Sequence, residues 1–187
     1  DLARGGGAGE PTSKCAVLEE ICDGLDNNCD DAPDEGDTCP PGCSGSTFLD
    51  LPYMFCTQPG DRAEAAAQCA ASGMALVRID SLEENAFLFE TMKDLVVGTQ
   101  TEMYIGGTDA ADEGHWLWSD GTEFWNGDAN GMAVDGAFEH WADGAPSNQS
   151  DNYQPENCAI IRLDNAEGAW GDVTCYEELP FACELPP

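Results

Sequence analysis

Ten cysteines in a chain of 187 residues are the feature that most limits how this protein can fold. An even number at this density predicts a disulfide framework, and disulfides persist in oxidising compartments. A zinc site is a poorer explanation, because no cysteines have C-x-x-C spacing and the two histidines, His115 and His140, lie far from any cysteine in the sequence. The sequence therefore predicts a protein that is secreted or displayed on the cell surface, with the periplasm as the alternative compartment.

The charge of the chain excludes some partners. There are 37 Asp and Glu residues against six Lys and Arg, a formal net charge of −31. Nucleic acids and anionic lipid surfaces repel such a chain, so we expect neither as a partner. Hydrophobic residues make up 42% of the sequence, which is enough for a core. No run of about 18 apolar residues occurs, so no membrane span is predicted.

Composition divides the chain into three parts. Residues 1–14, with three consecutive glycines, are predicted to form a flexible linker. Residues 15–42 contain four cysteines and many aspartates but little apolar content, so this segment needs disulfides or a metal to be ordered. Residues 43–187 have the pattern of a globular domain.

Two helices are predicted in this domain, over residues 62–72 and 82–94. Each begins with a capping-box pattern, in which an N-cap residue is followed three positions later by Glu; the N-cap residues are Asp61 and Ser81. Short strands are predicted near 47–56, 102–106, 115–119, 158–163, 168–172 and 180–183. The stretch 120–157 shows little regular patterning, which is typical of a functional loop.

Six ordered signatures run through the globular part. They are Ala65–Cys69 with Gly73–Asn85, Tyr104-Ile105-Gly106-Gly107, Trp116–Thr122, Glu156-Asn157-Cys158, Gly168–Asp172, and Pro180–Glu184. In this order and spacing they resemble the C-type lectin-like domain. The resemblance implies an α+β fold with two helices, short antiparallel sheets and a long irregular loop region that binds calcium, sugars or proteins.

The resemblance also implies how six of the cysteines pair. Long-form members of that family would have the pairs Cys43–Cys56, Cys69–Cys183 and Cys158–Cys175. The remaining cysteines belong to the N-terminal segment, and three connectivities are open to them. They are Cys15, Cys22, Cys29 and Cys39.

The acidic stretch 20–35 resembles a metal-binding motif of secreted proteins of some bacteria, notably myxobacteria. Its oxygen-bearing side chains alternate as in the first half of an EF-hand loop, and such a spacing can surround one Ca²⁺. Asp31 stands where that loop has glycine, and the last ligand position holds Asp, for which Glu35 could substitute. A metal-free acidic loop is the alternative. The predicted calcium ligands are Asp26, Asn28, Asp30, Asp34 and Asp37.

The family's sugar site is incomplete in this sequence. Sugar-binding members hold calcium with a Glu-Pro-Asn-type tripeptide, a Glu before the loop cysteine and an Asn-Asp pair after a Trp. Here the tripeptide is Ala145-Pro146-Ser147, whereas Glu156 and Asp172 match two of the family's carboxylates. The resemblance therefore implies weak calcium binding or none at this place, with further oxygen atoms from water or from loop residues. Those residues are Asn148, Asp151 and Asn152.

An insertion over 124–141 places Trp125 and Phe138 among Asn and Asp residues, where they could stack on a sugar or contact a protein. A core position is the alternative for both. For four other tryptophans the core is the preferred interpretation: Trp116, Trp118, Trp141 and Trp170.

The predicted function is recognition of a glycan or a cell-surface protein through the 120–172 loop region, with Ca²⁺ bound at least in the N-terminal acidic loop. The polar loop favours a glycan. The missing tripeptide ligands favour the alternative, a calcium-independent protein-binding or adhesion domain. Catalysis is not predicted, because neither histidine lies in a nucleophile motif and no G-x-S-x-G or H-E-x-x-H sequence occurs.

Overall fold

A computed structural model describes residues 19–96, 98–148, 154–164 and 167–186. Over these residues the fold is α+β, with two helices and ten strands. In chain order these are β1 (Cys43–Phe48), β2 (Leu51–Gly60), α1 (Arg62–Ala71), β3 (Ala75–Leu76), α2 (Leu82–Leu95), β4 (Glu102–Thr108), β5 (His115–Leu117), β6 (Glu123–Asn126), β7 (Met132–Ala133), β8 (Cys158–Arg162), β9 (Trp170–Val173) and β10 (Leu179–Glu184). Among the described residues, no helix is long and apolar enough to cross a membrane.

One sheet connects the two ends of the domain. Its strand order is β1-β2-β10-β4-β5-β6-β7, with β3 on β10 and with β8 between β4 and β9. The C-terminal strand β10 therefore lies between β2, with which it is antiparallel, and β4, with which it is parallel. This arrangement leaves the segments between β4 and β5 and between β7 and β8 at the same end of β4, where the functional site is found.

The helix predictions hold, with one change in the caps. The Asp61 side chain accepts from Glu64 N and the Glu64 side chain accepts from Asp61 N, which completes the predicted capping box. Ser81 accepts from Glu84 N, but the returning bond is different. Glu84 accepts instead from Asp80 N at 2.9 Å and from the Tyr53 hydroxyl at 2.6 Å. Burial of Glu84 against β2 therefore competes with the second capping box.

The stretch 120–157 is more regular than predicted. It contains β6 and β7, which form a hairpin in which Trp125 pairs with Ala133 and Asn126 with Met132. The hairpin extends the sheet beyond β5. Its turn contains Gly127 at φ +113°, in the left-handed region that favours glycine. The glycines and the asparagine between β6 and β7 therefore lie in a hairpin turn and not in irregular chain.

Aromatic residues form the core beneath the loop region. Trp116, Trp118 and Trp170 are 1%, 3% and 0% exposed, as predicted for core residues. Trp118 stacks on Phe124 with ring centroids 4.0 Å apart. Partly buried Trp141 lies edge-on to Trp116 at 5.0 Å. This cluster gives the loops above it a rigid base, because interlocked rings of this size leave little space for rearrangement.

Four disulfides connect described cysteines. They are Cys22–Cys39, Cys43–Cys56, Cys69–Cys183 and Cys158–Cys175. Cys29 is also disulfide-bonded, and Cys15 lies outside the described residues. The 69–183 bond closes a separation of 114 residues and ties α1 to β10. In the chain-entropy picture a loop of that size gives the largest constraint on the unfolded chain, about 4–5 kcal/mol.

The described part of the N-terminal segment packs on β1. Thr47 Oγ1 donates to Asp23 O at 2.8 Å. A Cβ added to Gly45 would lie 2.3 Å from Gly24 N. The N-terminal segment and β1 therefore contact each other through the backbone of two glycines. The acidic segment therefore depends on the globular domain for part of its packing.

Candidate functional site

A cavity of about 400 Å³ lies where the β4–β5 turn meets the β6–β7 hairpin and the loop after Pro146. We call it the loop cavity. It is lined by Asp109, Glu113, Gly114, Trp116, Gly127, Asp128, Pro146, Ser147 and Asn148. Three separate chain segments converge here, with the aromatic core below them.

Asp109 is the most unusual side chain of the loop cavity. It is 3% exposed and follows directly on β4. Its Oδ2 accepts from Gly114 N at 2.9 Å, and its buried Oδ1 accepts from no amide or hydroxyl group of the described residues. The Glu113 side chain lies within hydrogen-bonding reach of this carboxyl group. Burial raises the pKa of Asp109 to about 6; the Gly114 hydrogen bond opposes this, and the neighbouring Glu113 carboxylate adds to it. A buried carboxylate with a second carboxylate beside it can accept a cation.

The opposite wall is held by Asp172. This residue is 6% exposed, and its Oδ2 accepts from Ser147 N at 2.7 Å and from Asn148 N at 2.6 Å. Glu156 N donates to Asn148 Oδ1 at 2.9 Å, and Ser147 Oγ donates to Glu156 Oε2 at 3.4 Å. The bond before Pro146 is cis. Asp172 thus fixes the shape of the loop through backbone amides.

These contacts change the roles predicted for the loop residues. Asp172 was expected to be a calcium ligand, but one of its oxygens is occupied by two backbone donors. Asn148 lines the loop cavity. Glu156 lies next to it through the hydrogen bond to Asn148. Asp151 and Asn152 lie outside the described residues.

The predicted aromatic contact surface is not formed as expected. Trp125 is 8% exposed, and its indole nitrogen donates to Asp128 O at 3.2 Å. Phe138 packs against the core, edge-on to Trp170 at 5.7 Å. Trp125 therefore takes the core position that was the alternative for it. Trp125 lies opposite Trp116 in the register of β5 and β6, so its ring packs on the same face of the sheet and supports the hairpin.

Two carboxylates of the N-terminal acidic loop accept backbone hydrogen bonds. Asp26 accepts from the backbone nitrogens of Asp30 and Asp31, at 3.2 and 2.8 Å. Asp34 accepts from Asp23 N at 3.0 Å and from Gly24 N at 2.9 Å. Both carboxylates therefore stabilise the turn of the backbone.

The Asn28 side chain lies between two carboxylates of this loop. Asn28 Nδ2 donates to Glu35 Oε1 at 2.5 Å and lies 3.5 Å from Asp30 Oδ2. Asn28 Oδ1 and Glu35 Oε2 are buried without hydrogen-bond partners. No hydrogen bond within the described segment connects Asp37 to them. The one three-residue metal grouping found among described Cys, His, Asp and Glu side chains is Asp34 with Cys22 and Cys39, whose sulfurs form a disulfide.

Sequence reasoning missed Asp109 and Glu113. The available signal was a polar residue directly after a buried strand, followed four positions later by a second carboxylate before a glycine. Among so many acidic residues that signal was not distinctive. Burial of Asp109 depends on the hairpin and the loop after Pro146, which approach it from far along the chain.

The fold and the loop cavity define a disulfide-bonded recognition domain of the lectin type. Residues 60–185 match the family model of the lectin C-type domain. The mouse C-type lectin domain family 4 member E is 33% identical over 135 residues, covering 72% of this chain and 55% of that protein. Lectin BRA-3 of Megabalanus rosa is 32% identical over 124 residues, covering 66% of this chain and 63% of that lectin.

Solved structures agree with these relatives. The carbohydrate-recognition domain of the mouse scavenger receptor C-type lectin is 29% identical, with a TM-score of 0.57, covering 78% of this chain and 94% of that one. The cow CD23 domain, crystallised in the presence of a GlcNAc2Man3 oligosaccharide, is 25% identical with a TM-score of 0.58, covering 79% of this chain and 95% of that one. The chain belongs to the C-type lectin domain family, and it spans less than two thirds of the length of the two relatives above.

Proposed function

We propose that this protein is an extracellular recognition module that binds a glycan in the loop cavity with the help of Ca²⁺. The observation that carries the proposal is the pair of carboxylates of Asp109 and Glu113, which line a cavity of about 400 Å³ and of which Asp109 is 3% exposed. A cavity of this volume is within the range of small-ligand sites. The disulfides fit an oxidising compartment, which supports a secreted or surface location.

The residues of the loop cavity suit calcium better than a softer metal. Asp109 and Glu113 supply carboxylate oxygens, and Ca²⁺ takes 6–8 oxygen ligands from carboxylates, carbonyls, amides and water. Asn148 would add an amide oxygen from the opposite wall, with Glu156 behind it. A bound cation would relieve the cost of burying Asp109 as an anion. Calcium can also hold sugar hydroxyls directly when some of its ligand positions remain open.

We infer a second calcium site in the N-terminal acidic loop. Its proposed centre is Asn28 and Asp30 of the predicted set together with Glu35, whereas Asp26 and Asp34 shape the loop through the backbone hydrogen bonds that they accept. Support comes from Asn28 Oδ1 and Glu35 Oε2, two buried oxygens without partners in the described structure. Such orphaned acceptors are expensive to bury unless a cation or water satisfies them. Calcium here would stabilise the segment.

Protein binding without calcium is the second candidate. Ala145 and Ser147 replace the tripeptide ligands, and Asp172 is engaged by backbone amides. The site used by sugar-binding relatives is thereby weakened. The names of the relatives favour a glycan: a lectin, a carbohydrate-recognition domain, and a domain crystallised with an oligosaccharide. In either case the proposed role is binding and not catalysis.

A glycan array run in millimolar calcium and again in EDTA tests the proposal. We expect glycan binding that calcium supports and that Asp109→Asn reduces at least about tenfold, because the amide keeps the shape but loses the charge. Asp112→Asn is the matched control in the same turn, since its side chain is 80% exposed. Equal binding with and without calcium, or an unaffected Asp109→Asn variant, would exclude calcium at this cavity. Protein ligands captured in EDTA would favour the second candidate.

A further inference from the structure

The loop cavity continues onto the β6–β7 hairpin. A second cavity, of about 540 Å³, lies over residues 126–135 and shares Gly127 and Asp128 with the first. We propose that this adjoining surface, the hairpin subsite, binds the second unit of a neutral oligosaccharide whose first unit occupies the loop cavity. The inference depends on the proposed glycan-binding function and specifies the size and charge of the ligand.

The hairpin subsite has a fixed shape before any ligand binds. Asp128 O accepts from Trp125 Nε1 at 3.2 Å and from Gly131 N at 2.7 Å. Gly127 N donates to Gly114 O at 2.8 Å, which joins the hairpin to the wall of the loop cavity. A Cβ on Gly131 would lie 2.4 Å from Asn126 O, so only glycine allows this turn. A surface fixed in advance loses little conformational entropy on binding.

The exposed side chains of this surface suit a sugar ring. Met132 is 70% exposed and offers one flexible apolar contact. Asp128 and Asn130 are exposed beside it, and Asn130 N donates to Asp128 Oδ1 at 2.8 Å. A sugar ring presents hydroxyl groups at its edge and C–H groups on its faces, which match a mixed surface of this kind. A protein partner would normally need a buried aromatic or arginine anchor, and Trp125 is already covered.

Charge decides between neutral and acidic sugars. Asp109 and Glu113 line the first cavity, whereas Asp128 and Asp135 line the second. No lysine or arginine lines either cavity among the described residues. An acidic sugar in the hairpin subsite would therefore meet carboxylates without a compensating cation. We expect selection against uronates even when calcium occupies the loop cavity, because the second unit lies beyond the ion.

Isothermal calorimetry in millimolar calcium tests the proposal with the GlcNAc2Man3 oligosaccharide and its component sugars, mannose and N-acetylglucosamine. The full chain should bind the oligosaccharide at least about tenfold more tightly than either monosaccharide, a difference of about 1.4 kcal/mol. Met132→Ser should reduce oligosaccharide affinity about three- to tenfold and leave monosaccharide affinity unchanged. Leu82→Ser, at a position 55% exposed on α2, is the matched control and should change neither.

The outcomes separate this inference from the proposed function. Monosaccharide and oligosaccharide binding of equal strength would overturn the hairpin subsite alone, as would equal losses for both ligands in Met132→Ser. Tighter binding of an oligogalacturonide than of the neutral oligosaccharide would also overturn it. No binding of any of these sugars in calcium would overturn the glycan-binding function together with the subsite.

Discussion

Glu184 makes folding stability depend on pH near neutrality. It is the last residue of β10, and its carboxylate accepts from Arg78 N at 2.6 Å. Burial raises its pKa from 4.5 to about 7; the hydrogen bond from Arg78 N and the Arg78 charge oppose this, whereas the carboxylates of Glu84 and Asp80 add to it. The folded protein therefore prefers Glu184 in its neutral form, whereas the unfolded chain ionises it near pH 4.5.

The direction and size of the effect follow from that difference. A group whose pKa is higher in the folded state contributes stability below its unfolded pKa, and this contribution is lost as the pH rises through the folded pKa. A rise of the Glu184 pKa from 4.5 to about 7 corresponds to roughly 3 kcal/mol of folding free energy, since each pKa unit is worth about 1.4 kcal/mol. Solvent screening at this partly buried position reduces the contribution, so we expect a change in the free energy of unfolding of about 1–3 kcal/mol.

Glu184→Gln isolates this contribution. Glutamine keeps the volume and an acceptor for Arg78 N but cannot ionise. Urea unfolding in EDTA from pH 4.5 to 8.5 should show the variant equal to the parent at the acidic end and about 1–3 kcal/mol more stable at the alkaline end. Glu83→Gln, exposed in the first turn of α2, is the matched control. A stability difference that does not change with pH, or a variant less stable at pH 8.5, would refute the reasoning.

Three further predictions concern the N-terminal segment and the loop cavity. In EDTA, Asp34→Ala should speed amide hydrogen exchange in the acidic loop whereas Asp30→Ala should not, because only Asp34 holds distant backbone amides; equal exchange in both variants would contradict this. The calcium affinity of the loop cavity, measured by calorimetry, should fall about tenfold from pH 7 to pH 5, since Asp109 has a pKa of about 6 and must be ionised to bind the metal. In Asp109→Asn this tenfold decrease should be absent. Gly45→Ala should destabilise the protein by about 1–3 kcal/mol in thermal unfolding, because the added methyl group meets the backbone of Gly24, and an unchanged midpoint would mean that this contact is not maintained in solution.

Local rules predicted the helices well and the loop region poorly. Asp61 and Glu64 form a capping box with groups three residues apart, so the sequence contains the whole interaction. Glu84 has the same spacing from Ser81, but Tyr53 approaches from β2 and takes one of its oxygens. That competitor is 31 residues away along the chain. A sequence pattern can indicate a capping box but not a buried tyrosine that faces it.

The hairpin was missed for a related reason. Gly127 and Gly131 look like punctuation in an irregular loop, yet they allow a tight turn whose strands extend the sheet. Trp125 was considered as a contact residue because polar residues surround it in sequence. In the structure it pairs with Trp116 on the neighbouring strand and is covered. The exposed apolar residue of this hairpin is Met132, whose exposure depends on how the strands register.

The many carboxylates of this chain can be sorted by what their oxygens contact, which sequence spacing does not reveal. Asp26, Asp34 and Asp172 accept from backbone amides, so each stabilises a turn of the chain and has less capacity left for a cation. Asp109 and Glu35 each keep a buried oxygen that accepts from no amide or hydroxyl group of the described residues. Since burying an unsatisfied charged acceptor is costly, such an atom persists where a cation or water can occupy the place. By this criterion the calcium positions that we propose lie beside Asp109 and beside Glu35, one at the loop cavity and one in the segment that packs on β1.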